Sequence, residues 1–240
     1  MKCAREAAAS AALILAPVLQ AAATPAQQPD AAAIIHRIDV ATQSRYDNVL
    51  GFTDIEHYAI FRGSDESHPA AEMTVKTTYR RGSGKTYQIL SESGSSFLLR
   101  IGLHPLLDNE KDINVPGHVE QSWFTSANYD MRLKSAAAQR INGHDCYAFD
   151  VTAKRKAPNM IDGTVWADGQ NGLLMRIDGI ATKSPSMFTG APHMTRDYMV
   201  LQGFSMSMHA RAESNGAIVG RTVVTIDYSQ YQLQVRQNSR

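Results

Sequence analysis

A cluster of potential metal ligands is the first feature of the sequence that could carry chemistry. His144, Asp145 and Cys146 are consecutive, and on a strand His144 and Cys146 would point to one side. A zinc site needs three or four ligands, and no second cluster stands at a suitable spacing. The preceding Asn142-Gly143 pair is a strong turn signal. The sequence therefore favours a turn followed by a strand over a metal centre.

A second segment, Gly82-Ser83-Gly84-Lys85-Thr86, is similar to the end of a phosphate-binding loop. That motif requires a glycine five positions before Gly84, and Tyr79 stands there. The residues that follow alternate with the period of a strand, so no helix N-terminus would face a phosphate. We interpret this segment as a hairpin turn.

Motifs for nucleophilic or carboxylate catalysis are absent from the sequence. There is no G-x-S-x-G elbow and no S-x-x-K pair. Asp108 and Glu110 form an acid pair, but catalysis by carboxylates needs a cleft that shifts the pKa of one of them. Lys154-Arg155-Lys156 is a tight basic run, which we interpret as a solvated strand end, with an anionic lipid head group or a protein as alternative contacts. We predict no catalytic residues, no metal and no cofactor.

The composition is that of a neutral protein with a sizeable core. The chain has 240 residues, a formal net charge of +1, 43% hydrophobic residues and 20% charged residues. This length can bury a core without disulfides or metal. The low net charge argues against nucleic-acid binding, which needs a basic surface, and the hydrophobic content argues against disorder.

The N-terminus has the order of a secretory signal peptide. Lys2 and Arg5 precede an alanine-rich apolar stretch, and Ala21-Ala22-Ala23 supplies small residues for cleavage. The apolar stretch is short and contains Pro17, which argues against a retained membrane anchor. We therefore predict export to the periplasm, with association with the outer membrane left open, and no stable membrane span after cleavage.

This interpretation divides the chain into three parts. Residues 1–23 form the cleaved signal peptide, residues 24–29 a flexible leader, and residues 30–240 one domain. Cys146 would be the single cysteine of the mature protein. We expect a buried, inert thiol there and no internal disulfide.

Beyond the leader, the hydrophobic period changes from helical to strand-like. Apolar residues between 35 and 49 recur at spacings of three and four behind a potential N-cap at Asp30, which predicts an amphipathic helix that ends at Gly51. From residue 71 onwards the period is two, and turn signals recur to the end of the chain. Residues 106–113 predict one more short helix. The pattern predicts an antiparallel meander of about ten strands, with Asn215-Gly216 as its last turn.

Residues 141–181 carry the most recognisable motifs. A G-x-x-C-Y-x-x-D-V-T strand runs from Gly143 to Thr152, and a W-x-D motif from Trp166 to Asp168 is followed by a turn and by Arg176-Ile177. Over about residues 30–230 the chain resembles the outer-membrane lipoprotein-sorting proteins, the LolA/LolB/RseB-like superfamily. It departs from LolB-like members because no cysteine is placed for lipidation after the signal core.

The resemblance implies a mainly β (α+β) fold. The expected architecture is a strongly curved, incomplete antiparallel β-barrel whose open mouth is covered by the N-terminal helix and the short helix. It also implies an apolar concave side that binds acyl chains of lipids or lipoproteins, and no catalytic residues.

The residues also favour an apolar cavity when taken alone. Two modest helices are little material to cover the inner face of so wide a sheet, and the chain has nine methionines after Met1, a residue type that lines adaptable binding surfaces. The predicted cavity residues are Met73, Val75, Tyr79, Tyr87, Ile89, Phe97, Met131, Trp166 and Met175.

We therefore predict an exported, non-enzymatic protein that binds an acyl chain. The first alternative is an envelope sensor or interaction protein that uses the same fold to recognise a protein partner. The second is a hydrolase, which a tightly clustered Ser/His/Asp or Glu/His site in the loops at the barrel rim would favour.

Overall fold

The computed structural model describes residues 29–115, 117–157, 159–183, 190–216 and 220–237. The predicted signal peptide, residues 1–23, lies outside the described residues, as does the leader up to residue 28. Among the described helices, none is both long enough and apolar enough to cross a membrane.

Helix α1 spans Ala31–Asn48 and begins where the sequence predicts. Asp30 is its N-cap, because the Asp30 carboxylate accepts a hydrogen bond of 3.1 Å from the Ala33 backbone N–H. The helix ends before Gly51, because Val49 already begins the first strand. The predicted helix is confirmed, with a C-terminus earlier than expected.

The other helical segments are short and consecutive. They are α2 (Ser96–Leu98), a π-helical turn (Leu99–Leu103), α3 (His104–Ile113) and a 3₁₀ turn (Val119–Ser122). The short helix predicted from residue 106 is confirmed in α3, which begins two residues earlier with Pro105 in its first turn.

Eleven strands are present in the described residues. They are β1 (Val49–Arg62), β2 (Ala71–Arg80), β3 (Gly84–Gly94), β4 (Tyr129–Leu133), β5 (Gln139–Ile141), β6 (His144–Ala153), β7 (Ile161–Asp168), β8 (Leu174–Ala181), β9 (His193–Leu201), β10 (Phe204–Gly216) and β11 (Gly220–Val235).

All strand pairs are antiparallel, in the order β3-β2-β1-β11-β10-β9-β8-β7-β6-β4, and β5 also pairs with β6. Among the described residues β3 and β4 do not pair with each other, so the sheet stays open. Register shifts interrupt four of the strand pairs, and such bulges increase the local twist and bend a sheet. The mainly β class and the curved, unclosed antiparallel sheet are as predicted.

Two details of the strands differ from the sequence prediction. The 14-residue strand β1 was not predicted, because its inward positions include Asp54 and Glu56, which hide the apolar alternation. Asn215 and Gly216 are not a turn but continue β10, where Asn215 pairs with Arg221. The connection to β11 falls at residues 217–219, outside the described residues.

Two large apolar clusters lie on the sheet beneath the helices. The α1 cluster joins Ile34 and Ile38 of α1 to β4, β6, β7 and β8 through Tyr129, Phe149, Val151, Met160, Ile161, Val165, Ala167 and Ile177. The α3 cluster lies beneath the shorter helices. Its buried members are Tyr58, Ile60, Ala71, Met73, Val75, Leu98, Leu99, Leu103, Leu107, Ala210, Ile226 and Tyr228.

The turn between β7 and β8 fixes α1 against the sheet. Gly172 has a φ of +74°, and a Cβ at this position would lie 2.2 Å from the backbone carbon of Arg37. Only glycine therefore permits this approach. The Arg37 guanidinium also donates a hydrogen bond of 3.0 Å to the Gly169 carbonyl.

Candidate ligand-binding site

A cavity of about 210 Å³ lies where the α1 and α3 clusters meet the middle of the sheet. Its walls come from α1, strands β1–β3, α3, the 3₁₀ turn and strands β8–β11. Among the residues that line it, Tyr228 belongs to the α3 cluster, and Phe124 and Leu174 pack against the α1 cluster. The helices thus leave space over the inner face of the sheet instead of filling it.

Aromatic side chains form much of the wall. The Phe52 ring stacks on Tyr79 with centroids 5.1 Å apart, and Tyr231 meets Phe52 edge-on at 5.7 Å. On the α1 side, the rings of Tyr46 and Trp123 meet edge-on at 5.1 Å. These contacts give the cavity aromatic side chains on two sides, while its lining as a whole is about as polar as it is apolar.

The floor of the cavity is charged. Lys85 Nζ lies 3.1 Å from Glu110 Oε2 and 3.6 Å from Glu56 Oε1, so one cation bridges β3, α3 and β1. The Lys85 side chain is 12% exposed and that of Glu56 only 1%. Such a cluster is tolerated in the interior only while its charges compensate one another.

The two carboxylates of this cluster have further donors. The Tyr58 hydroxyl donates to Glu56, and the Asn114 amide donates to Glu110. Although burial opposes both charged forms, Glu110 and Glu56 hold the pKa of Lys85 well above its ordinary value, and Lys85 and Arg196 hold the pKa of Glu110 below its own. Lys85 and Glu110 are therefore charged at neutral pH.

Asp54 is different, because its carboxylate has no such compensation. It is 2% exposed and lines the cavity, and neither of its side-chain oxygens has a hydrogen-bond partner among the described residues. The nearby Tyr231 hydroxyl donates its single proton to the Ser207 carbonyl at 3.0 Å. Burial, and next the charge of Glu56, raise the pKa of Asp54 to about 7.

Two arginines complete the charged lining. Arg196 of β9 has no carboxylate of the described residues within 4.0 Å. Burial opposes its charge, but Tyr228, Tyr198 and Glu110 raise its pKa. Arg45 lies on α1 and is exposed, which places it at the outer side of the cavity.

The predicted cavity residues are spread over several places. Tyr79 lines the cavity. Met73 and Val75 are buried in the α3 cluster, Tyr87 packs against that cluster, and Met131 packs against the α1 cluster. These four support the walls from behind.

Ile89 and Phe97 are exposed. Val75 pairs with Ile89, and Thr77 with Tyr87, so Ile89 shares the inner face with Val75 and Tyr87. It nevertheless lies on the edge strand β3 and is largely open to solvent. Phe97 of α2 is 54% exposed and does not line the cavity.

Trp166 lies on the other face of the sheet. Its neighbours Val165 and Ala167 point into the α1 cluster, and successive side chains of a strand point to opposite faces. The Trp166 indole donates a hydrogen bond of 2.8 Å to Gln139. It packs against a small cluster that contains the fully buried Met175, and neither residue is among those that line the cavity.

Sequence reasoning missed the charged groups of the cavity, although a signal for them existed. Lys85 alternates with Tyr87 and Ile89, which the sequence predicts on the inner face. It also pairs with Tyr79 across the two strands. The same period places Asp54 and Glu56 on one side of β1. Charged residues at inward positions are unusual, and they mark the site here.

The other candidate motifs serve the fold. His144 Nδ1 lies 2.7 Å from Asp168 Oδ2, and Asp168 also accepts the backbone N–H groups of Gln170 and Asn171. The described residues contain no group of three or more histidine, cysteine or acidic side chains that could hold a metal ion. Cys146 is buried and free, and burial, followed by Asp168, raises the pKa of its thiol to about 11.

Two members of the basic run are engaged with the loop before β4. Lys154 Nζ donates a hydrogen bond of 2.7 Å to the Ser126 carbonyl, and the Arg155 guanidinium donates one of 3.0 Å to Asn128 Oδ1. These contacts tie the end of β6 to residues 126–128.

No protein-family model matches the chain, and no curated protein matches it. Among solved structures, a DUF1329 family protein from Desulfovibrio piger ATCC 29098 is 14% identical, with 88% of this chain and 95% of that chain covered and a TM-score of 0.43. A LolA superfamily protein from Nitrosomonas europaea is 11% identical, with 85% and 93% covered and a TM-score of 0.43.

A domain from Vibrio parahaemolyticus assigned to outer membrane lipoprotein sorting is 12% identical. The comparison covers 86% of this chain and 93% of that chain, with a TM-score of 0.46.

Proposed function

We propose that the protein is an exported, non-enzymatic binding protein that holds one acyl or alkyl chain in its central cavity. The observation that carries the proposal is a cavity that has aromatic side chains on two sides and buried polar atoms with no hydrogen-bond partner among the described residues, notably those of Asp54 and Ser205. An apolar wall with a few convergent polar groups is the usual design of a small-molecule site. The ligand that fits it is amphipathic.

The size of the cavity limits the length of chain that it takes. A cavity of about 150 Å³ can hold a benzene molecule, and this one measures about 210 Å³. We therefore expect a chain of about eight carbons to fill it, with a longer chain requiring α1 or α3 to move outward. Each further methylene that is buried should add about 0.8 kcal/mol until the cavity is full.

A carrier role fits the charges of the site better than a catalytic one. Lys85 is held between Glu56 and Glu110, and all three side chains are largely buried. Their mutual ion pairs stabilise the fold around the cavity, which gives these groups a structural task.

The direct test is native mass spectrometry of gently purified mature protein, followed by lipid extraction. We expect an extractable alkyl or acyl compound in a 1:1 ratio. N-terminal sequencing of the same material should give a start near residue 24, as expected for cleavage after the predicted signal peptide.

Trp123 provides a spectroscopic test of the cavity itself. The chain has two tryptophans, and Trp123 lines the cavity whereas Trp166 does not. A Trp166→Phe variant therefore leaves one reporter at the site, and its fluorescence should change in a saturable way as eight-carbon alkyl compounds are added. The Trp123→Phe variant is the matched control and should show no such change.

A pair of substitutions on α1 separates cavity binding from surface adsorption. Thr42 lines the cavity, whereas Val40 of the same helix is 52% exposed. Thr42→Phe should weaken binding by filling space, and Val40→Phe should not. Equal binding by both variants would contradict the proposal.

The protein-partner alternative rests on a different observation. Four of the exposed large hydrophobic side chains fall between residues 89 and 101, namely Ile89, Leu90, Phe97 and Ile101. A photo-crosslinking amino acid at position 97 that captures one specific envelope protein, in a protein that retains no lipid, would favour this alternative.

A further inference from the structure

Asp54 presents a buried carboxylate to the cavity with no hydrogen-bond partner among the described residues. Unsatisfied buried polar groups are rare in folded proteins, and each one calls for water, an ion or a ligand. Asp54 has two such oxygens, and both face the cavity side of β1. Glu56 and Lys85 face Asp54 and shift its pKa in opposite directions. The remaining ionisable groups of the cavity are Arg45, Tyr46, Tyr79, Glu110, Arg196, Tyr198, Tyr228 and Tyr231.

The charges inside the cavity do not balance when Asp54 is ionised. Apart from the exposed Arg45, the lining has three carboxylates, Asp54, Glu56 and Glu110, and two cations, Lys85 and Arg196. Lys85 is within ion-pair distance of Glu56 and Glu110, but no cation of the described residues lies within 4.0 Å of Asp54. One additional positive charge at Asp54 would neutralise the interior.

Resting on the proposed function, we infer that the cavity receives an amphiphile amine-first, with a primary ammonium group at one end of an alkyl chain bound to the Asp54 carboxylate. The ammonium supplies three hydrogen-bond donors and one positive charge. The alkyl chain then lies against the aromatic wall of Phe52, Tyr79 and Trp123. In the free protein a proton occupies the place of the ammonium on a fraction of the molecules, because burial raises the pKa of Asp54 to about 7.

Proton linkage gives this inference a specific signature. An ammonium that binds to ionised Asp54 displaces the proton from those molecules that carry one. Below the pKa of Asp54, binding should therefore release close to one proton, and the affinity should fall as the pH decreases. Well above that pKa, little proton release is expected, because Asp54 is already ionised.

Three probes with the same eight-carbon chain test the inference: octylamine, octanol and octanoate. Calorimetric titration at pH 8 should show octylamine binding at least tenfold more tightly than octanoate, with octanol weaker than octylamine. At pH 6, titrations in two buffers of different ionisation enthalpy should show the release of close to one proton for octylamine and of none for octanol.

Asp54→Asn keeps the shape of the side chain and removes its charge. It should weaken octylamine binding at least tenfold, abolish the proton release and leave octanol binding within about twofold. Asp108→Asn is the control, because Asp108 is an exposed acid on α3, and it should change none of these values. The proton release of the wild-type protein tests the inference even if the Asp54 variant does not fold.

The outcomes separate this inference from the proposed function. If octanol or octanoate binds in the cavity at least as tightly as octylamine, the amine-first inference is wrong and the binding function stands. If none of the three probes changes the Trp123 fluorescence or gives heat of binding, both are wrong and water fills the cavity.

Discussion

The α1 cluster consists of hydrophobic side chains, whereas the cavity is lined by a largely buried lysine and three carboxylates. Both regions belong to one sheet, and both are covered by helices. The α1 cluster packs around Ile34 and Ile38, which are almost fully buried. In the second region, the helices and the sheet leave a cavity lined by charged groups. The difference shows how one curved sheet can combine an apolar core with a polar cavity.

The largest expected effect is on the charged region. Lys85→Met would leave Glu56 and Glu110 buried without their cation, and breaking a buried pair in this way costs about 3–5 kcal/mol. We expect this loss of unfolding free energy in urea denaturation at pH 7. Lys111→Met, which removes an exposed partner of Asp108, should change stability by less than about 0.5 kcal/mol.

The pH dependence of this loss follows from the shifted pKa of Glu110. Lys85 and Arg196 hold this pKa below its ordinary value of 4.5 against the effect of burial. The stability that the pair contributes is therefore present above pH 4.5 and is lost as the pH falls through the lowered pKa. An equal cost of Lys85→Met at pH 7 and at pH 3.5 would contradict the ion-pair assignment.

In the α1 cluster, a cavity-forming substitution should cost less and should not depend on pH. Ile38 is fully buried, and Ile38→Ala is expected to reduce the unfolding free energy by about 2–4 kcal/mol. The difference between the variant and the wild-type protein should be the same at pH 5 and at pH 8, because the ionisable group among the buried members of this cluster is Tyr129, and burial raises its pKa to about 12. Val40→Ala on the exposed side of α1 is the control, with an expected change within about 0.5 kcal/mol.

Removal of the Asp54 charge should increase the unfolding free energy. Its pKa is about 7 in the folded protein, above the ordinary value of 3.8, so the folded state binds the proton more tightly than the unfolded chain does. Asp54 therefore contributes stability below pH 3.8 that is lost as the pH rises to about 7, by up to about 1.4 kcal/mol per pH unit.

Asp54→Asn removes this titration. We expect the variant to gain about 1–3 kcal/mol over the wild-type protein at pH 8, and the gain to shrink toward pH 5. Urea denaturation of both proteins at several pH values measures the difference. A gain of the same size at every pH would show that Asp54 does not titrate in this range.

The sequence predicts the two regions unequally well, for a physical reason. Ile35 and Ile38 repeat with helical spacing, and Tyr147, Phe149 and Val151 repeat with strand spacing, so α1 and the strands beneath it follow from periodicity. Strand β1 does not, because Asp54 and Glu56 occupy inward positions where a strand normally has apolar residues. The charged residues that line the cavity are thus the same ones that prevent the prediction of β1 from the hydrophobic pattern.

The predicted cavity residues show the same limit. Alternation assigns Met73, Val75 and Tyr79 to one face of the sheet, but it does not show which part of that face a helix covers. That depends on where α1 and α3 lie, and so on contacts between distant segments, such as Gly172 with Arg37 and Lys85 with Glu110. Composition favours an apolar cavity, because it does not show which charged residues come together in the fold. The few that converge on the cavity come from β1, β3, α3 and β9, which are distant in sequence.

The smallest effect is expected outside both regions, at Phe97. This side chain is 54% exposed on the short helix α2 and is not a member of the α3 cluster, whereas its neighbours Leu98 and Leu99 are. Phe97→Ser should therefore change the unfolding free energy by less than about 0.5 kcal/mol and should leave alkyl-chain binding unchanged. Leu98→Ser, one residue along the same helix, puts a polar group into the α3 cluster and should cost several times more. Because stability and cavity binding do not require Phe97, any loss of envelope-protein capture by Phe97→Ser would assign this side chain to a partner contact.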